Sequence, residues 1–137
     1  MEIKDGSVKV RTWTLKYSEM SVADTTFYWD LILPGEDGGY LTNFFGRVTT
    51  AFAGVTNPHV KVGDPGILDS IMQNQPIGHT GVLATGGPQA AQFGCAKMDT
   101  VICDLVAPKI RVTVSSTTGN LSSLSAGEIK LTAVYVI

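Results

Sequence analysis

The chain has 137 residues, 44% of them hydrophobic, and a formal net charge of −2 from ten Lys and Arg against twelve Asp and Glu. That length is one domain's worth, and the apolar fraction supports a core without metal or disulfide staples. Charged residues make up only 16% and the cations are scattered, so there is no electrostatic footprint for nucleic acid. No apolar run is long enough to span a bilayer, and the first thirty residues hold no signal-peptide pattern, which predicts synthesis and folding inside a cell.

Met1–Ser7 (MEIKDGS) is short and polar, either an arm that reaches a neighbour or a frayed end. Val8–Tyr17 (VKVRTWTLKY) alternates strictly, with Val8, Val10, Thr12, Thr14 and Lys16 on one face and Lys9, Arg11, Trp13, Leu15 and Tyr17 on the other. Both faces carry large apolar groups, so alternation alone leaves the buried face open. Phe27–Leu33 (FYWDLIL) is an aromatic strand ended by Pro34 and the acidic turn Gly35–Gly39. Tyr40–Ala53 follows, with Phe45, Val48 and Phe52 among threonines, and His59–Val62 is a short strand after Asn57-Pro58. Ile67–Asn74 (ILDSIMQN) is the one predicted helix, about two turns held between Gly66 and Pro76.

Residues 64–100 read as a long loop region. Within it, Ile71–Ala96 holds five glycines and two prolines but no ionisable side chain besides His79 and Cys95. Exposed loops usually carry charge, so two expectations stand side by side. The stretch folds over the sandwich's own edge and hides backbone groups, or it is buried against another subunit, since interface cores are depleted in charge. Val101–Val106 (VICDLV) and Lys109–Ser115 (KIRVTVS) return to strand grammar, Ser116–Gly127 is a polar connection, and Glu128–Ile137 (EIKLTAVYVI) is a last strand paired within the sheet. Seven or so strands with Gly, Pro and Asn turns predict an all-β chain, a single antiparallel β-sandwich over residues 1–137 with at most one short helix.

Chemistry-bearing patterns are few. Cys95 and Cys103 lie eight apart, too far for a CxxC pair, and neither His59 nor His79 sits in a metal-ligand motif. An intracellular origin predicts reduced thiols. No nucleophile elbow, P-loop or dinucleotide fingerprint occurs. Asp30, Asp104 and Glu128 lie in strands, where a glycosidase would place its two carboxylates and where charges more commonly face solvent. Val62–Gly66 (VGDPG) reads as a tight turn, because Pro65 removes a donor that a phosphate cradle would need. Glu36-Asp37, Asp64 and Asp69 lack the dense spacing of a calcium loop. Trp13, Tyr28, Trp29 and Tyr40 are core residues or an aromatic platform for sugars. Neither a cofactor nor a metal is expected, and no constellation assigns catalytic roles, so no enzymatic activity is expected.

Three runs carry a resemblance: Arg47–Gly54 (RVTTAFAG), Val60–Asp69 (VKVGDPGILD) and Ala126–Tyr135 (AGEIKLTAVY). A strand ending in Thr-Ala-Phe, a short strand closed by Val-Gly-Asp, a long variable loop and a terminal Ala-Gly-Glu strand follow in that order. The pattern resembles small β-structured virion proteins of tailed bacteriophages, especially capsid decoration (cement) proteins. It spans Arg47–Asp69 and Lys109–Ile137, roughly half of the chain, in turn-and-strand motifs rather than catalytic signatures.

The resemblance implies a jelly-roll-like sandwich, made in the host cytoplasm, that binds the outer surface of the capsid and stabilises the head without catalysis. Its partner would be the major capsid protein, and its own assembly a homo-oligomer, a trimer foremost. Many weak contacts on one lattice then add as avidity. Ile77, Val82, Leu83 and Phe93 are the expected protein-interface residues, because apolar groups in a Gly-rich loop have little local core to enter. A tail, neck or head-fibre component is the nearest rival. From another class comes a carbohydrate-binding module using Tyr28, Trp29 or Tyr40.

Overall fold

A computed structural model describes residues 8–32, 40–63, 68–69, 71–83 and 109–136. Eight strands run through them: β1 (Val8–Lys16), β2 (Thr26–Ile32), β3 (Tyr40–Ala53), β4 (His59–Gly63), β5 (Met72–Pro76), β6 (Gly81–Leu83), β7 (Lys109–Ser115) and β8 (Ala126–Val136). They form two four-stranded antiparallel sheets packed as a β-sandwich, in the orders β1-β8-β3-β6 and β2-β7-β4-β5. Four pairings nest inside one another along the chain: β1 with β8, β2 with β7, β3 with β6, and β4 with β5.

Period-two alternation decides what faces inward. From the first sheet come Leu15, Phe44, Val48, Ile129, Leu131 and Ala133; from the second come Leu31, Val60, Val62, Ile110, Val112 and Val114, all buried in one cluster. Burial also resolves the ambiguity of β1. Its Trp13–Leu15 side packs inward, while Val8 and Val10 stand 66% and 65% exposed. The core of the first sheet lies under its two central strands, β8 and β3, and β1 overhangs it as an edge strand; Arg11 then covers the rim by lying 5.5 Å over the Trp13 ring. One end of the sandwich is closed by 3₁₀ turns at Tyr17–Met20 and Leu121–Ser123, which bury Met20 and Leu121; the second is tied to the segment following the first by Leu121 N–H to the Asp24 carbonyl and Ser122 N–H to the Val22 carbonyl.

Two runs behind the resemblance meet here. β3 and β8 are hydrogen-bonded neighbours, and the Phe52 ring lies directly against the α-carbon of Gly127, where a Cβ would fall 2.2 Å from a ring carbon. Gly127 has a φ of 146°, a backbone region that side chains disfavour, so glycine is required twice over.

The expected helix over Ile67–Asn74 does not form where the chain is described. Met72–Pro76 is a strand whose register sets Val62 against Met72 and His59 against Pro76. Eight residues cannot distinguish a 3.6 period from a pair of adjacent apolar side chains, and the open edge of β4 offers backbone partners that an isolated two-turn helix lacks. Ile71 and Met72 are both fully buried.

The loop region is thus interrupted by two strands. β5 completes one sheet and β6 the other, which is the edge-covering expectation for Ile71–Ala96 as far as residue 83. The predicted arm Met1–Ser7, the rest of that stretch and the predicted strand Val101–Val106 lie outside the described residues.

Candidate functional site

The outer face of the second sheet is polar. Asp30 and Arg111 stand directly opposite each other on β2 and β7 and pair side-on, with Arg111 Nε donating to Oδ1 at 2.8 Å and its terminal nitrogen to Oδ2 at 3.2 Å. That hydrogen-bonded carboxylate holds the guanidinium pKa above its ordinary value, against a smaller opposing effect of desolvation. Arg111 also lies 5.3 Å over the Tyr28 ring, which is 53% exposed. Between Tyr28 and Lys61 on the flanking strands sits Thr113, buried with its hydroxyl unpartnered.

This arrangement separates the residues that sugar or acid–base chemistry would join. Trp13 and Trp29 pack against the core from opposite sheets, and Tyr28 offers solvent a ring already engaged by Arg111. Tyr40 begins β3, with its side chain outside the described residues, as is Asp104. Asp30 lies on the outer face of one sheet and Glu128 on that of the other, where Glu128 Oε1 accepts a 2.7 Å hydrogen bond from Thr49. Two carboxylates on opposite sides of a sandwich cannot flank one glycosidic bond. Among the described residues no three His, Cys, Asp or Glu side chains gather into a metal-holding group. Cys95 and Cys103 lie outside them.

A shallow polar recess of about 320 Å³ lies at the β4–β5 edge, lined by Asn57, His59, Asn74, Gln75 and Pro76. Its amides are largely engaged locally. Asn57 donates to the Thr117 hydroxyl, Gln75 to the Gln73 and Asn74 carbonyls, and His59 Nδ1 to the Asn57 carbonyl.

The outer face of the first sheet has a different character. Its register builds successive cross-strand rows: Val10, Val134 and Asn43; then Thr12, Thr132 and Phe45; then Thr14, Lys130, Arg47 and Val82. Val82 is 73% exposed and Phe45 47%, and with Val8 and Val10 they account for four of the six large apolar side chains that face solvent among the described residues. They share that face with Thr12, Thr14, Asn43, Arg47, Lys130 and Thr132. Val82 forms a ridge. On one side is a small cleft of about 50 Å³ bordered by His79, Gln75 and Pro76; on the other is an open recess of about 220 Å³ lined by Phe45, Gly46, Arg47, Lys130 and Thr132.

The four expected interface residues therefore part company. Val82 stands on this face. Ile77 and Leu83 are buried in the core of the single chain, so the premise that they lack a local core is corrected. Ile77 is anchored by its backbone, accepting from Phe52 N–H and donating to the Pro58 carbonyl. Leu83 points inward because β6 alternates about Val82 and packs against the bare α-carbon of Gly46. Phe93 lies outside the described residues. Phe45, Arg47 and Lys130 are not among the expected interface residues: in Phe44-Phe45 either ring can be the buried one, and the two cations are neighbours only through strand pairing.

No helix among the described residues is long and apolar enough to cross a membrane. Searches for relatives returned no matching family model, no matching curated protein and no matching solved structure.

Proposed function

We propose that the protein is a non-enzymatic virion structural protein: a capsid decoration protein that binds the major capsid protein on the outer surface of a phage head and reinforces the shell. The observation that carries this reading is the outer face of the first sheet, which bears Val8, Val10, Phe45 and Val82 in solvent. Exposed apolar side chains spread across an open sheet face suit docking on another protein, whereas small-molecule sites are concave and enclosed. Two further features support it. The nested pairings of β1 with β8 through β4 with β5, and the orders 1-8-3-6 and 2-7-4-5, are what a jelly roll produces, an architecture frequent in capsid proteins and in lectins. Of the runs whose sequence resembles decoration proteins, Arg47–Ala53 and Ala126–Tyr135 fall on β3 and β8, and Val60–Gly63 falls on β4. Assembly as a trimer over capsid-protein junctions belongs to the same reading.

Fold alone does not fix function, so the test is compositional. Quantitative mass spectrometry of purified particles counts this chain against the major shell protein. Hundreds of copies in fixed ratio are the expected result. A handful per particle would move the protein to the tail, neck or fibre. Absence would remove the virion reading and put a carbohydrate-binding module first, to be tested on a glycan array with Tyr28→Ala.

A further inference from the structure

The strand register places two like charges where a sheet disfavours them. Arg47 on β3 is directly opposite Lys130 on β8, and both are exposed. Opposed like charges destabilise a strand pair, and a neighbouring acid would normally relieve them. Among the described residues neither cation has an ion pair or side-chain hydrogen bond. Glu128, the next outward residue along β8, is about 7 Å away and accepts the Thr49 hydroxyl. On its other side Arg47 is opposite Val82, and in the adjoining row stands Phe45. Two unneutralised cations thus share one recess with two exposed apolar side chains, Val82 at the end of their row and Phe45 in the next.

We infer that this recess is the docking point for an extended, acidic–apolar segment of a partner protein, whose carboxylate seats between Arg47 and Lys130 while a flanking apolar side chain covers Phe45, with Val82 bordering the carboxylate's seat beside Arg47. The segment's chemistry follows from the spacing. In an extended strand, residues i and i+2 point the same way, about 7 Å apart. In a segment running along β3, a carboxylate over the cations therefore brings the side chain two residues away over Phe45, the next outward residue of that strand, while Val82, one strand across, flanks Arg47. A carboxylate fits both cations at once, since Arg presents a planar fork and Lys a point charge. The apolar flanks exclude water, which strengthens the charge pairing. The inference rests on the docking role proposed above and gives the partner segment its chemistry.

The test uses the full chain, labelled with nitrogen-15, and a synthetic peptide, acetyl-Leu-Ser-Glu-Ser-Leu-amide, in an NMR titration at low salt. The expected result is saturable shifts confined to the Phe45–Arg47, Val82 and Lys130–Thr132 amides. Affinity should fall about tenfold when the peptide's Glu is replaced by Gln, as loss of a charge-assisted contact requires. The informative variant is Arg47→Glu. It creates an opposite-charge pair with Lys130, so melting is unchanged or raised by a degree or two while peptide affinity falls at least about tenfold.

Equal affinity for the Glu and Gln peptides, or shifts elsewhere on the molecule, would overturn the inference. So would shifts at these amides that depend only on protein concentration, which would make a second copy the occupant, or saturable binding there of a short single-stranded oligonucleotide in place of the peptide. A parallel arm measures Arg47→Glu occupancy on particles assembled without the protein. Loss of occupancy is expected, and unchanged occupancy would refute the recess as the docking point while leaving the decoration role standing. Failure of the wild-type chain to bind particles would refute that role, with the peptide titration still deciding the recess chemistry.

Discussion

Replacing Gly127 by alanine tests the packing that joins β3 to β8. An alanine Cβ would fall 2.2 Å from one carbon of the Phe52 ring and 2.5 Å from two more. Ordinary carbon contacts are about 3.5–4.0 Å, so the ring must retreat by more than ~1 Å. It is 3% exposed and packed in the core, and protein interiors hold few voids for it to enter. Overpacking of this kind costs about 1–3 kcal/mol. A side chain at a φ of 146° adds strain of about 1–3 kcal/mol. The sum, about 2–6 kcal/mol, lowers the midpoint of a domain this size by roughly 10–20 °C.

Urea unfolding followed by tryptophan fluorescence gives the free energy directly, and a double-mutant cycle isolates the cause. Phe52→Ala alone removes a buried ring at about 3–5 kcal/mol. Once the ring is gone the Cβ clash disappears, so the double variant should cost about 1–3 kcal/mol less than the two single effects added. Additivity within about 0.5 kcal/mol would show that the ring and the glycine do not meet, and would refute the reasoning.

Ile77→Ala should destabilise by about 2–5 kcal/mol in the same assay, because a fully buried side chain leaves a cavity; a near-zero change would return Ile77 to the surface. Val82→Asp, on an exposed side chain, should shift stability by no more than about 0.5 kcal/mol while abolishing binding to particles. Loss of the fold in that variant would place Val82 in the core instead. Thr113→Val replaces a buried, unpartnered hydroxyl by a methyl of the same shape and should stabilise by about 1 kcal/mol, read as a higher urea midpoint; destabilisation would reveal a hydrogen-bond partner for Oγ1.

Much of the sandwich is legible in the residue pattern. The β3 and β7 boundaries, Tyr40–Ala53 and Lys109–Ser115, follow from alternation bounded by turn residues, and the inward set Ile110, Val112 and Val114 comes from period two alone. Alternation says that two faces exist without saying which is buried when both carry apolar groups. Val8 and Val10 against Trp13 and Leu15 is such a case, settled by the register with β8, which sets Trp13 and Leu15 opposite the buried Leu131 and Ile129. The stretch from Ile71 to Leu83 misleads in another way. Low charge and many glycines signal removal from solvent, but a single chain's own sheet edges remove it as effectively as a partner would.

The candidate site was legible only at Val82. Its other members depend on register, which is a relation between strands far apart in sequence: Arg47 and Lys130 are ordinary surface cations until β3 pairs with β8. The residue pattern by itself determined an all-β, strand-by-strand chain with apolar and polar faces, because side-chain alternation is a property of each segment taken alone. Only the tertiary structure decided that Ile77 and Leu83 are core, that Phe52 needs a glycine at 127, and that two cations share one recess with Phe45 and Val82. Those facts reside in pairings between distant segments, whose energies depend on which neighbours the fold supplies.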